Sequence, residues 1–178
     1  GGVIIRSLPA DHNVPCIAYC LEIKRPGKFN AKKASELGIP VRLWHSLQLG
    51  NTAEYCGKVY GPETVMGRPR RGLKVAYCTD TRPLDALADF MRGSDLLICE
   101  GLYGEDEKRQ SAIEKKHMVF SETAALAAES GSEELWLTHY SPALKDPEAF
   151  MDDVRAVYKN SFAGKDLMKK SINFKNDA

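Results

Sequence analysis

Three short apolar runs constrain the chain more than any other feature: LKVAYCT at 73–79, DLLIC at 95–99 and ELWLT at 134–138. Each has strand length and amphipathic segments separate them, so strands alternate with helices and the fold class is α/β. Pro83–Arg92 reads as one helix, with Leu84, Leu87 and Met91 on one face and Gly93 beyond its end. Ser121 is placed to cap a helix that runs to Ser130 and closes on Gly131. Asp146 and Pro147 open a third, whose Phe150, Val154, Val157 and Tyr158 fall at core-facing spacing. An earlier run, Val14–Ile23, has few charges and several β-formers and reads as a strand. The stretch between, 24–72, is rich in Gly and Pro, with a short helix over Ala31–Leu37 ended by Gly38 and the Arg-rich GRPRRG at 67–72. Its texture predicts an insertion, outside the core.

All three later strands lead into a residue capable of metal or proton chemistry: Asp80 after AYCT, Glu100 after LLIC and His139 after LWLT. In open α/β sheets ligands gather beyond the carboxyl ends of strands. A borderline cation such as zinc takes imidazole nitrogen and carboxylate oxygen from rigid elements. His12, Asp80 and His139 at strand edges are the candidate metal ligands, and His45 beside Trp44 in the basic insertion is not. Three ligands suffice for one incomplete site and not for two.

The net charge of +1 conceals a segregation. Residues 24–74 hold eleven Lys and Arg against three Glu, whereas residues 75–178 hold thirteen against nineteen acidic residues. A middle segment this basic can steer and hold a polyanion although the whole chain is nearly neutral. No stretch approaches the ~18 apolar residues of a membrane span, and the start lacks a basic segment followed by a long apolar one, so a cytoplasmic protein is expected. Five cysteines without a C-x-x-C pair read as reduced thiols in strands, free of any disulfide framework.

At this point the residues carry a resemblance that spans nearly the whole chain. DHNVPCIAY resembles the H-x-V-P-x-x-G-Y strand of the ribonuclease Z family, transfer-RNA 3′-end processing endonucleases of the metallo-β-lactamase fold. RPGKFN and LGIP resemble its arm, KVAYCTDTRP its G-D-T-R turn, and LLICE, KKHMVFSETAALAAESG and LWLTHYSP its H-E-A-T, H-S-T and L-T-H-x-S segments. The chain thus looks like the C-terminal half of a four-layer αββα sandwich with a basic arm inserted. The resemblance implies core over 1–23 and 73–178 and a flexible, exosite-like arm over 24–72. It also implies His12, Asp80 and His139 as ligands in a site of two zinc ions, or other divalent metals, with His117 and Glu100 as the catalytic pair.

By the same likeness a zinc-held hydroxide attacks the phosphodiester of precursor transfer RNA in line, and His117, oriented by Glu100, protonates the leaving 3′ oxygen. The arm would grip the RNA through Lys24, Arg25, Lys28, Lys32, Lys33, Arg68, Arg70 and Arg71. Several features depart from the family pattern. Its H-x-H-x-D-H ligand motif is absent, the arm reads LGIPVRLWHS in place of a Gly-Pro motif, Cys99 and Gly101 flank Glu100, and Met118, Val119 and Phe120 stand between His117 and Ser121. A lone half would expose a large apolar sheet face, so the expected partners include the N-terminal half of the same fold and a second copy in a homodimer, with no membrane. Isolated, the chain is expected to be inactive. Two other readings stay open: a metallo-β-lactamase-fold phosphodiesterase acting on a smaller ester, and a metal-free RNA-binding module that has lost catalysis.

Overall fold

A computed structural model describes residues 2–175; residue 1 and residues 176–178, the outer ends of the ranges 1–23 and 73–178, lie outside the described residues. The chain divides into two compact units, one built on Val3–Glu22 and Leu73–Asn173, the other on Ile23–Gly72 with Phe174.

The strands β1 (Val3–Pro9), β2 (Ile17–Arg25), β5 (Arg70–Cys78), β6 (Leu96–Glu100), β7 (Leu135–Thr138) and β8 (Ser161–Ala163) form one sheet in that order. From β5 to β8 neighbouring strands are parallel, which requires a crossover after each strand. The crossovers carry α3 (Asp85–Met91), then α4 (Arg109–Lys115) and α5 (Phe120–Ser130), then α6 (Met151–Val157).

Register sorts the side chains into two faces. Ala76, Leu97 and Leu135 form one row and Cys78, Cys99, Leu137 and Ala163 the next, all buried. Small residues in these rows leave room for the large ones the helices bring, Leu87, Met91, Phe120, Leu126 and Met151, and together they make the main core. The alternate row, Tyr77, Ile98, Trp136 and Phe162, lies on the other face. On β1 and β2 the exposed residues are also apolar: Val3, Ile5, Ile17, Tyr19 and Leu21 are each at least 40% exposed. One sheet face is therefore covered by helices; on the other, these β1 and β2 residues, Tyr77 and Phe162 are apolar and exposed, while Trp136 is buried.

Several elements differ from their sequence reading. The strand read over Val14–Ile23 begins at Ile17 and runs to Arg25. β1 and β8 were not legible: β1 mixes apolar residues with Arg6 and Ser7, and β8 has only three residues. Ser121 does not cap α5. The helix begins at Phe120, and the Glu122 carboxylate reaches back to accept from the Val119 N–H at 3.0 Å, while Ser121 donates to Asp106. Asp146 does act as a cap, accepting from the Glu148 N–H, but the first turn is 3-10 and the α-helix starts only at Met151. Not all cysteines sit in strands: Cys16 precedes β2 and Cys56 occupies a turn.

The second unit has a core of its own. It contains α1 (Ala31–Glu36), α2 (Val41–Gln48) and the antiparallel hairpin β3 (Ala53–Tyr55) and β4 (Lys58–Tyr60). Cys56 and Gly57 both take positive φ, 50° and 73°, as a two-residue hairpin turn requires. Ala34, Ile39, Leu47, Ala53 and Val65 are buried together, with Phe29, Leu43, Trp44 and Tyr60 packed around them. At Gly27 the backbones come so close that a Cβ would lie 2.0 Å from the Gly67 carbonyl oxygen.

Candidate metal centre

Parallel register brings the ends of β5, β6 and β7 to one edge of the sheet, since Cys78 pairs with Cys99 and Glu100 with Thr138. The residues read as strand-end chemistry are therefore neighbours. Asp80 and His139 each follow their strand by a step in the left-handed region, at φ 53° and 58°, and the His139 Nε2 lies 2.7 Å from the Asp80 Oδ1. His12 enters from the loop between β1 and β2, and His117 from the turn after α4. The His117 ring stands between the other two, its centroid 4.8 Å from that of His12 and 5.2 Å from that of His139.

Glu100 lies beneath His117 with no exposed side-chain surface. Its carboxylate faces three donors: the Thr81 N–H, the Met118 N–H at 3.0 Å, and the His117 Nδ1 at 3.0–3.1 Å. Burial pushes this carboxyl up to about 7, against the downward pull of the two backbone N–H groups. Burial also holds the His117 imidazole below its ordinary value, with His12 adding to the effect and Asp80 opposing it. With Nδ1 engaged by Glu100, the Nε2 of His117 is the nitrogen left for other work.

His12, Asp80 and His117 offer ligand atoms that all lie within 4.8 Å of one another. Imidazole and carboxylate donors in this number suit zinc or another borderline divalent cation. The grouping is not the one expected: His117, read as catalytic, stands with His12 and Asp80, whereas His139, read as a ligand, meets the site through Asp80. A ligating histidine commonly donates its second N–H to a carboxylate, so the Glu100 contact is compatible with either role for His117.

Sequence reasoning passed over the supports. Arg82 grips Glu122 with two hydrogen bonds, 2.6 and 2.9 Å, and donates a third to the His117 carbonyl. Lys116 holds Asp11 at 2.7 Å and its carbonyl faces the His12 Nδ1 at 3.1 Å. The Cys16 thiol lies 4.0 Å from Asp80 Oδ2. Each is adjacent in sequence to the site or lies within a few residues of it, the one signal that pointed to them.

The basic residues of the arm lie in the second unit. Lys32 and Lys33 are on α1, and Lys24 and Arg25 at the end of β2. Arg70 donates to the Pro26 carbonyl at 2.8 Å, and Arg25 to the Lys175 carbonyl at 2.6 Å while stacking on Phe174. Lys24, Arg25 and Arg68 border a groove whose walls include Pro26, Leu47, Leu49, Met66 and Pro69.

Comparison with known proteins decides the family. The family model described as the beta-lactamase superfamily domain matches residues 22–140. The chain belongs to the beta-lactamase superfamily.

Within that superfamily it is similar to curated proteins named Ribonuclease Z. One from Clostridium acetobutylicum is 45% identical over 175 residues, covering 98% of this chain and 57% of the relative. Another from Clostridium kluyveri is 47% identical over 171 residues, covering 96% and 56%. The chain thus spans little more than half the length of these relatives. Among solved structures, the metallo-beta-lactamase fold protein YhfI from Bacillus subtilis matches with a TM-score of 0.56 and 20% identity, over 90% of this chain and 46% of the other. Human tRNase Z, short form, matches at 0.54 and 16%, over 97% and 44%. These likenesses establish the metallo-beta-lactamase fold, as the sequence resemblance implied. Among the described residues no helix is long and apolar enough to cross a membrane.

Proposed function

We propose that this chain is the C-terminal part of a metal-dependent endoribonuclease of the ribonuclease Z type that removes the 3′ trailer of precursor transfer RNA. The observation that carries the reading is the convergence of three histidines and Asp80 at one sheet edge over a fully buried Glu100. The relatives named Ribonuclease Z support it, and the cofactor is zinc, two ions once the rest of the protein adds ligands to the donors present here.

His12, Asp80 and His139 are the ligands this half contributes, and the rest of the protein supplies the others. Metal at this site supplies neutralisation of the charge that develops on phosphorus and activation of the attacking water. His117 gives a proton to the leaving 3′ oxygen. Glu100 accepts from Nδ1 and so fixes the ring with Nε2 toward the reaction. The arm holds the body of the RNA through Lys24, Arg25, Lys28, Lys32, Lys33, Arg68, Arg70 and Arg71, a phosphate-directed contact that weakens steeply with salt.

The open apolar face, Ile17, Tyr19, Leu21, Tyr77 and Phe162 among its residues, is the surface on which the N-terminal half packs its own sheet. The intact protein works as a homodimer in the cytoplasm. The decisive experiment gives precursor transfer RNA to the intact protein and to a version lacking 24–72. Cleavage by the first, with a large loss of RNA affinity in the second, is expected. If the intact protein ignores the RNA and splits only a small phosphodiester, the proposal fails in favour of the smaller-ester reading.

A further inference from the structure

Among the described residues five helices end in the left-handed region, and four of the endings use glycine: Gly38 after α1, Gly50 after α2, Gly93 after α3 and Gly131 after α5, at φ 68°, 88°, 65° and 59°. Glycine is the residue that enters this region without steric cost. α4 ends differently. Its left-handed residue is Lys116, at φ 57°. The hydrogen bonds are those of a Schellman ending, from the Lys116 N–H to the Ile113 carbonyl and from the His117 N–H to the Ala112 carbonyl. Backbone geometry alone would thus favour glycine at position 116, as at the other four ends.

What the lysine adds is directed at the metal centre. Its ammonium lies 2.7 Å from the Asp11 carboxylate, and Asp11 immediately precedes His12. The Asp11 backbone is tied as well, its N–H donating to the Thr81 hydroxyl at 3.0 Å and its carbonyl accepting from the Arg82 N–H at 3.0 Å. The carbonyl of Lys116 stands 3.1 Å from the His12 Nδ1. A carbonyl only accepts, so the proton sits on Nδ1 and Nε2 is left bare for a metal. One residue therefore grasps the loop before His12 with its side chain, sets the His12 tautomer with its backbone, and leads directly into His117.

We propose that Lys116 is a positioning residue: paired with Asp11, it clasps the His12 loop to the His117 turn and presents the Nε2 of His12 to the metal. The inference rests on the reading of His12 as a ligand and deepens it. Because the ion pair is 39% and 40% exposed, its strength as an isolated contact is small, and its effect is felt in the placement of His12.

The test uses the intact protein and compares wild type with Lys116→Gly and Lys116→Arg. Lys116→Gly relaxes the backbone and removes the ammonium, so its melting temperature should be equal to or above that of wild type. Long-range 1H–15N spectra of the metal-free protein read the His12 tautomer directly. Wild type and Lys116→Arg should show Nδ1–H, and Lys116→Gly a mixture of both forms. Zinc affinity, measured against a chromophoric chelator, should fall about three- to tenfold in Lys116→Gly, below the roughly 10- to 100-fold typical for loss of a whole outer-shell partner, because the carbonyl remains. Arginine should restore it.

An Nε2–H tautomer in wild type, or a Lys116→Gly protein with unchanged tautomer and zinc affinity, would overturn the clasp and leave Lys116 a plain helix cap. Failure of wild type to bind zinc at all would sink the ligand reading of His12 instead, while the tautomer comparison would still decide the clasp.

Discussion

Replacing Glu100 with Gln isolates the burden of burying that carboxylate. An unfolded glutamate titrates near 4.5, and in the folded chain burial moves Glu100 to about 7. Below 4.5 the group is protonated in both states and carries no penalty. As pH rises through the interval, the unfolded chain releases its proton and the folded one retains it, so folding stability falls, and the loss is complete above about 7. The interval corresponds to about 3 kcal/mol as an upper limit. His117 acts with the opposite sign: its folded value lies below 6.5, so its contribution is present above 6.5 and lost as pH falls. Wild-type stability alone mixes the two. The difference between wild type and Glu100→Gln, both carrying His117, removes most of the second.

The assay is urea unfolding of the metal-free protein at intervals from pH 4.5 to 8. Glu100→Gln sets an amide NH2 among the Thr81, Met118 and His117 donors, which adds a penalty independent of pH. The slope is therefore the readout, and the offset is not. Wild type should lose up to about 3 kcal/mol relative to the variant across the range. Saturating zinc should flatten the slope, because a neighbouring dication favours the ionised carboxylate. A difference curve that is flat or rises with pH in the metal-free protein would refute the reasoning.

Three other outcomes follow from the same contacts. His117→Ala should cut turnover by about 100-fold or more with zinc content unchanged, whereas Asp80→Asn should lower zinc content, both read by single-turnover cleavage and elemental analysis; equal metal loss in the two would make His117 a ligand, as its place beside His12 and Asp80 allows. Leu47→Ala, at a fully buried position in the arm core, should cost about 2–5 kcal/mol of local stability and weaken RNA binding without altering zinc content. Residues 1–178 alone should bind an apolar dye and self-associate in sedimentation, and Tyr19→Lys with Leu21→Lys should reduce both.

The sheet centre was legible because β6 and β7 are short, largely apolar and buried, β5 ends in VAYC with Ala76 and Cys78 buried, and their ends carry Asp80, Glu100 and His139 at or just beyond the last paired residue. The arm core was not. A stretch dense in Gly and Pro shows the short helix α1 and little of α2 or the hairpin, yet Leu47 and Val65, eighteen positions apart, meet through the turns those residues permit. α4 was missed for a related reason: RQSAIEK has little apolar periodicity and buries only Ala112. That omission hid the most consequential detail of the site, since the end of α4 aims His117 back over the strand ends, beside His12 from more than a hundred positions away. Sequence separation carries no trace of that meeting, and the division of labour between His117 and His139 depends on it.

Three polar residues at or beside the site, Asp80, Lys116 and His139, occupy the left-handed region, where an L residue pays roughly 1–2 kcal/mol. Two follow strands and one follows a helix, so no shared local motif explains them. What they share is direction: each reversal turns the chain at the sheet edge and places a side chain or a carbonyl toward His12, His117 or Asp80. Glycine at any of the three would relieve the backbone and would also delete the side chain that faces the site or its supporting loop. A chain selected for folding alone would accept glycine there, as this one does at the ends of α1, α2, α3 and α5. Cys56 and Leu167, away from the site, also keep a left-handed backbone without glycine, so strain alone does not mark the site; what sets Asp80, Lys116 and His139 apart is that their side chains or carbonyls face one another or His12.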